Sequence, residues 1–315
     1  MADDDDEIAM IRNTMLWVMR RTALCVAFLS ASPAFAADAL PGDINPGIAL
    51  RRQADIRLDK EMLTISRQRI VVEDVFTGTS KDRQFVPVVF TMPPMRLQET
   101  DAQDGIRDLR FAVNGMAIKP VRKLTVMLGD KDIAWRIATM GWKESELIAF
   151  LRDGQAPAGK LPLPAAWFDR QGRPRFQLRE TYAWDQWFAP GRAVTIRHSY
   201  VPATTGEAGA KPSQLIRRVG DAACMDEGRQ SVVKSLDTGN GVDWTGLRYR
   251  IAGSRGWRPG AQDFTLRVDT GGDFLATCMA GGKPLDKRVQ QFRAGNISMD
   301  QAIDLVFARS GRQSP

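Results

Sequence analysis

Few side chains in this 315-residue chain have the type and spacing for chemistry. His198 is the only histidine. A zinc centre usually needs three protein ligands, and a catalytic imidazole needs a nucleophile at hand. The sequence identifies neither, so His198 reads as a core or rim imidazole with one satisfied hydrogen bond. Asp237-Thr238-Gly239 and Asp269-Thr270-Gly271 both spell the triplet with which aspartic proteases pair two carboxylates. The copies are too close for separate lobes, the wider pattern is missing, and the glycines fit turns. Ser231-Val232-Val233-Lys234 has serine–lysine spacing but lacks the companion Lys-Thr-Gly and Ser-Asp-Asn motifs. Phosphate-binding glycine loops, zinc cysteine pairs and a nucleophile elbow are also missing. No catalytic set, metal or cofactor is therefore expected.

Aromatic and sulfur residues offer more. Of eight tryptophans, Trp17 falls in the N-terminal leader discussed below. Of the others, Trp135, Trp142, Trp167, Trp184, Trp187, Trp244 and Trp257, most are expected to pack the core or its rim. Trp184 and Trp187 have opposite strand parity, so a regular strand turns at most one of them inward. Trp187, next to a turn, is the leading candidate for an exposed ring, and Trp142 and Trp257 complete a candidate binding surface. Cys25 lies in the leader, which leaves Cys224 and Cys278. In an exported protein an even pair reads as a disulfide. A reactive thiol is the alternative, harder to activate with one histidine in the chain.

Export is read from the first forty residues. Arg20 and Arg21 precede an apolar run, Ala23 to Leu29, and small residues end in Ala34-Phe35-Ala36. Basic, apolar and small-residue segments in that order form a helical signal peptide cut after Ala36. The run is too short for a bilayer-spanning helix, which needs about 20 apolar residues. The acidic stretch Asp3 to Glu7 does not suit an n-region, and translation starting at Met10 or Met15 would explain it. The general secretory route fits better than twin-arginine export, because Ala23 stands where an aromatic is usual. Leu24 before Cys25 argues against a lipoprotein. Cleavage removes three basic and five acidic residues and raises the formal charge from +7 to +9. The cations are dispersed, as at Arg248, Arg250, Arg255 and Arg258, so a solvated surface or affinity for anionic envelope polymers is expected. Export leaves nucleic acid an unsuitable partner.

Residues 37–315 are expected to form one β-rich domain, or two packed β-subdomains. Apolar and polar residues alternate through Ile56 to Ile65, Ile70 to Val72 and Val86 to Met92, the strand period. Asn114-Gly115 between Leu109-Phe111-Val113 and Met116-Ile118 predicts a hairpin, since both turn residues accept positive φ. A second hairpin is expected from Leu124, Val126 and Leu128 through Gly129-Asp130 to Ile133, Trp135 and Ile137. Leu147, Phe150 and Leu151 predict one short amphipathic helix over 143–152, stopped by Gly154 and lying as a lid on the β domain. Ser298 with Gln301 has capping-box form ahead of a strand through Leu305 to Phe307. The fold class is all-β, mostly antiparallel and sandwich-like.

Phe176, Leu178, Tyr182 and Trp184 share one face of a strand, and Val194, Ile196, His198 and Tyr200 share one face of the next. With Pro190-Gly191 between them, a paired hairpin is expected, with an odd loop or a bulge so that both faces meet one core. The run Tyr182-Ala-Trp184-Asp-Gln186-Trp-Phe188-Ala-Pro190-Gly191, then His198-Ser-Tyr200-Val-Pro202, resembles bacterial secreted proteins catalogued as domain of unknown function 4424. That family has Tyr-x-Trp-x-Gln, a Phe-Pro-Ala-Gly turn and His-x-Tyr-x-Pro; here the turn reads Phe-Ala-Pro-Gly. Gly47 to Leu50, Leu63 to Ser66, Val89 to Pro93, Trp257, Asp263 to Leu266 and Cys278 extend the resemblance across the mature chain. It implies a secreted β-rich fold and supplies no catalytic residues.

Two functions compete on these grounds. One is a non-catalytic binding module, periplasmic or secreted, that meets an envelope protein, a glycan or an anionic surface polymer. The other is an extracytoplasmic hydrolase using carboxylates far apart in sequence. Acids clustered in a pocket with raised pKa would favour the enzyme, and a shallow tryptophan patch would favour binding.

Overall fold

A computed structural model describes residues 44–50, 55–94, 106–154, 156–251, 263–295 and 302–312. The leader, Trp257 and the Ser298–Gln301 capping box lie outside them. Among the described residues eighteen strands form three sheets, and all but two of the pairings are antiparallel. The largest sheet runs β16 (Lys283–Pro284), β17 (Val289–Ala294), β14 (Asp263–Asp269), β3 (Ile56–Ser66), β4 (Ile70–Gly78), β11 (Ala193–Val201), β6 (Arg107–Val113), β7 (Met116–Ile118). A second runs β2 (Ile48–Leu50), β5 (Gln84–Thr91), β10 (Phe176–Phe188), β8 (Val121–Leu128), β9 (Lys131–Asp132). The third runs β1 (Ile44–Asn45), β13 (Val242–Arg250), β18 (Ala302–Ser310), β15 (Phe274–Thr277), with β12 (Thr205–Ala210) paired to β13.

The alternation has its expected cause. Every second residue of β4 from Ile70 to Gly78 is buried, and the strand's apolar face enters a core shared by all three sheets. Leu63, Phe76 and Ile196 enter it from the large sheet, Val88, Phe90 and Phe188 from the second, Leu247, Leu305 and Phe307 from the third. The result is a sandwich in which one broad sheet backs onto two narrower ones. The opposite face of the third sheet, with Val242, Trp244, Val306 and Ala308, is covered by α3 (Pro212–Val219) and α4 (Glu227–Ser235). Burial on both faces explains the unbroken apolar run Leu305 to Ala308.

Asn114 and Gly115 adopt φ of 48° and 81° and join β6 to β7 with Val113 opposite Met116, as their types require. The expected helix is α2 (Glu144–Asp153); Gly154 ends it in the left-handed region at φ 72°. It packs Leu147 and Leu151 on Val126, Phe176 and Leu178, and Arg122 bridges its Glu144 to Glu180 on β10. Cys224 and Cys278 are joined, with Cα atoms 4.9 Å apart.

Several expectations need correction. Ile133 to Ile137 is not a strand: after the two-residue β9 the chain turns into α1 (Ala134–Thr139). Ile133 and Ile137, four apart, both face the core, while Trp135 between them is 67% exposed. The helical content is larger than one amphipathic segment, since α1, α3 and α4 accompany α2. Nor do β10 and β11 pair. β10 bonds to β5 and β8 and β11 to β4 and β6, so the Pro190-Gly191 turn carries the chain from one sheet to another. The parity rule for a hairpin loop lapses there, because each strand meets the core from its own side.

Candidate functional site

A bulge in β3 decides what the middle of the sandwich contains. Leu58 pairs with Phe76 and Lys60 with Val75, so the extra residue is Asp59. Ahead of it the even residues Ile56 and Leu58 face the core; beyond it the odd residues Glu61, Leu63 and Ile65 do. Glu61 is thereby turned inward, directly opposite Asp74 on β4. Both carboxyls are wholly buried. Tyr249 of β13 faces them from the third sheet, close enough to Glu61 for its phenol to counter part of the rise in that acid's pKa. On β11, His198 and Tyr200 share the inward face.

The cluster is nearly bare of hydrogen bonds. Among the described residues, no well-formed bond reaches the carboxyl oxygens of Glu61 or Asp74, the ring nitrogens of His198 or the Tyr249 hydroxyl. Tyr200 differs: its hydroxyl donates to the Pro46 carbonyl at 2.8 Å. Burial dominates the electrostatics, since a charge in this interior has lost its water. It drives Glu61 well above the carboxylate range, with the Asp74 charge adding to the rise. Asp74 is pushed up to about 8, by burial first and then by Glu73. His198 is pushed down to about 3 by burial alone. Its ring lies 5.4 Å from Phe90 and stacks on Tyr200 at 6.1 Å, so an aromatic box takes the place of the hydrogen bond expected for it.

At neutral pH these groups are therefore a neutral imidazole and protonated acids. Raised carboxyl pKa values are the mark expected of a hydrolase. Here they belong to side chains with no exposed surface, which a substrate at the molecular surface does not touch. The sequence held a signal for this pair: Asp74 keeps phase with Ile70, Val72 and Phe76, and Glu61 with Leu63 and Ile65.

The outer face of the second sheet is open instead. Trp187 on β10 is directly opposite Phe85 on β5, and the rings lie 4.4 Å apart. They are 45% and 52% exposed. The Arg83 guanidinium lies over the indole, 4.2 Å from the ring centre. Trp184 turns the other way, partly buried, with its ring 5.4 Å from Phe111. Trp142 does not join this surface. It is 5% exposed, packs on Phe150 and donates from its indole nitrogen to the Leu161 carbonyl at 2.9 Å.

The short motifs resolve into local structure. Asp237 accepts from the backbone N–H groups of Gly239 and Gly241, and Asp269 from that of Gly271, each at 2.9 Å, as turn aspartates do. Ser231 and Lys234 lie on α4 with exposed side chains.

A family profile described as a domain of unknown function (DUF4424) matches residues 36–305. No curated protein matches the chain. Among solved structures, a candidate nutrient binding protein from Legionella pneumophila is 12% identical over 86% of this chain and 72% of its own, with TM-score 0.46. An M1 zinc metallopeptidase from Deinococcus radiodurans is 11% identical over 81% of this chain and 42% of its own, with TM-score 0.29. A mutant of such a peptidase from the same organism, bound to a Tyr-Ser-Ala substrate, is 10% identical over 81% and 43%, with TM-score 0.29. The chain thus spans less than half of either peptidase chain.

Proposed function

Starting from a chain that belongs to the DUF4424 family, we propose that this protein is an exported, non-catalytic binding module of the bacterial envelope. Its contact surface is the Arg83–Trp187–Phe85 face. One observation carries the reading: two large rings and a guanidinium are in mutual contact at the surface, while the ionisable cluster is sealed in the core. Exposed rings in mutual contact, on a strand face that otherwise alternates towards polar residues, mark an interaction site more readily than isolated ones do. Retention on envelope material is the test. Immobilised mature protein should hold back a component of a bacterial envelope fraction, and Trp187→Ala should lose it with the fold intact by circular dichroism. Equal retention by both proteins would refute the surface.

The disulfide supports export, because such bonds persist in oxidising compartments. Mass spectrometry of protein recovered from its native host should find a mature chain starting at Ala37. A product retaining Met10 or Met15 would overturn the export reading.

A further inference from the structure

We infer that the Arg83–Trp187–Phe85 cluster receives an acidic polysaccharide, with a sugar ring packed against the exposed edges of the two aromatic side chains and its carboxylate held by Arg83. The inference rests on the binding-module reading and gives that surface a ligand class. Arg83 supplies the first reason. An indole beneath a guanidinium holds it flat and leaves its in-plane N–H donors free, the geometry that grips a carboxylate with two parallel bonds. Among the described residues no carboxylate forms an ion pair with Arg83. The Arg83 side chain is exposed and rests against the indole.

Surrounding charge supplies the second reason. The Gly191 N–H donates to the Gly78 carbonyl at 2.9 Å, which sets the β10–β11 turn beside the β4–β5 loop. Exposed Lys81, Arg83 and Arg192 are brought to the same end of the sandwich, against Asp82, Asp185 and Asp55, whose carbonyl accepts from the Thr79 N–H at 2.8 Å. Cations and carboxylates balance there, so the attraction for an anionic polymer comes from the whole chain at +7 and its contact from Arg83. The third reason is the apolar platform. Phe85 and Trp187, about half exposed and tilted at 43° to each other, present apolar ring edges, and the C–H face of a pyranose is the apolar part of an otherwise polar ligand. An uncharged glycan would use the rings and leave Arg83 idle. A protein partner would be expected to bury the rings and need no carboxylate.

Calorimetric titration of the full mature chain with oligogalacturonate, and with the matching uncharged galactose oligomer, tests this. Binding of the acidic oligomer is expected, weakening as salt rises. Arg83→Gln and Trp187→Ala should each weaken it at least about tenfold, and the uncharged oligomer should bind about tenfold more weakly. Trp187→Phe, which keeps a ring in place, should restore most of the affinity lost in Trp187→Ala. Absence of oligogalacturonate binding by the wild type, or binding indifferent to both Arg83→Gln and Trp187→Ala, overturns the inference. Wild-type protein that ignores the oligomer but is retained by envelope material through Trp187 overturns the ligand class alone and leaves the binding module standing.

Discussion

Unfolding free energy should fall as pH rises from about 6.5 to about 8, and Asp74→Asn should remove much of that fall. In the folded chain Asp74 titrates at about 8, against 3.8 for the free side chain. The native state thus holds a proton that the unfolded chain has released. For an acid raised in this way, stability is fully present below pH 3.8 and is lost as pH climbs through 8. Each pH unit in that window costs about 1.4 kcal/mol, on the order of 5 kcal/mol in all. Glu61 is raised in the same direction and adds to the loss.

His198 works the other way. Burial lowers it from 6.5 to about 3, so its contribution is full above pH 6.5 and is lost as pH falls towards 3. Between about pH 4 and 6.5 the histidine offsets the slope of one acid; above 6.5 the acids act unopposed. The steepest loss therefore lies between 6.5 and 8. Urea unfolding at pH 5, 6.5 and 8 reads this directly. Asp74→Asn should gain steadily on the wild type from pH 5 to 8, by about 1.4 kcal/mol for each pH unit, because the His198 offset is common to both proteins. A wild-type stability that is flat or rises over that interval would show that the carboxyl pair is charged in the fold.

The same two acids mark the limit of what was legible in the chain. Alternation revealed the strands, and Asn114-Gly115 and Gly154 revealed a turn and a helix end, because each reports a local backbone requirement. Glu61 escaped because its inward orientation follows from the bulge at Asp59, visible only as a change in the parity of apolar residues between Leu58 and Leu63. Ile133, Trp135 and Ile137 satisfied a strand period and Ile133 with Ile137 a helical one; only the exposure of Trp135 separates the two. The helices over the third sheet left faint signs: Pro212 at a first turn, Leu215 and Val219 four apart, Asp226 as an N-cap. The pairing of β10 and β11 was the deeper miss. Strand partners are chosen by long-range contacts, and two strands joined by a four-residue turn can serve opposite sheets when both have an apolar face to bury.

The disulfide should be worth about 4 kcal/mol, nearly all of it exerted on the unfolded chain. Cys224 and Cys278 are 54 residues apart. The segment between them leaves the third sheet after β13, contributes β14 to the large sheet, and returns as β15. A cross-link closing that excursion removes many unfolded conformations that the chain would otherwise have to give up on folding. In the native state other contacts hold the same two ends. Arg229 donates to the carbonyls of Cys224 at 2.8 Å and Thr277 at 3.0 Å, and Ala222, Ala223 and Met225 pack in one cluster with Ala276. The Cys224→Ser/Cys278→Ser double variant should therefore fold, with a native far-ultraviolet spectrum and a stability lower by about 4 kcal/mol. Both cysteines are exposed, so a reductant should bring the wild type down to the level of the variant and leave the variant unchanged. Equal stability of oxidised and reduced wild type would show that the ends stay close in the unfolded chain without the bond. A variant that fails to fold would instead place the bond among the contacts that hold the third sheet together.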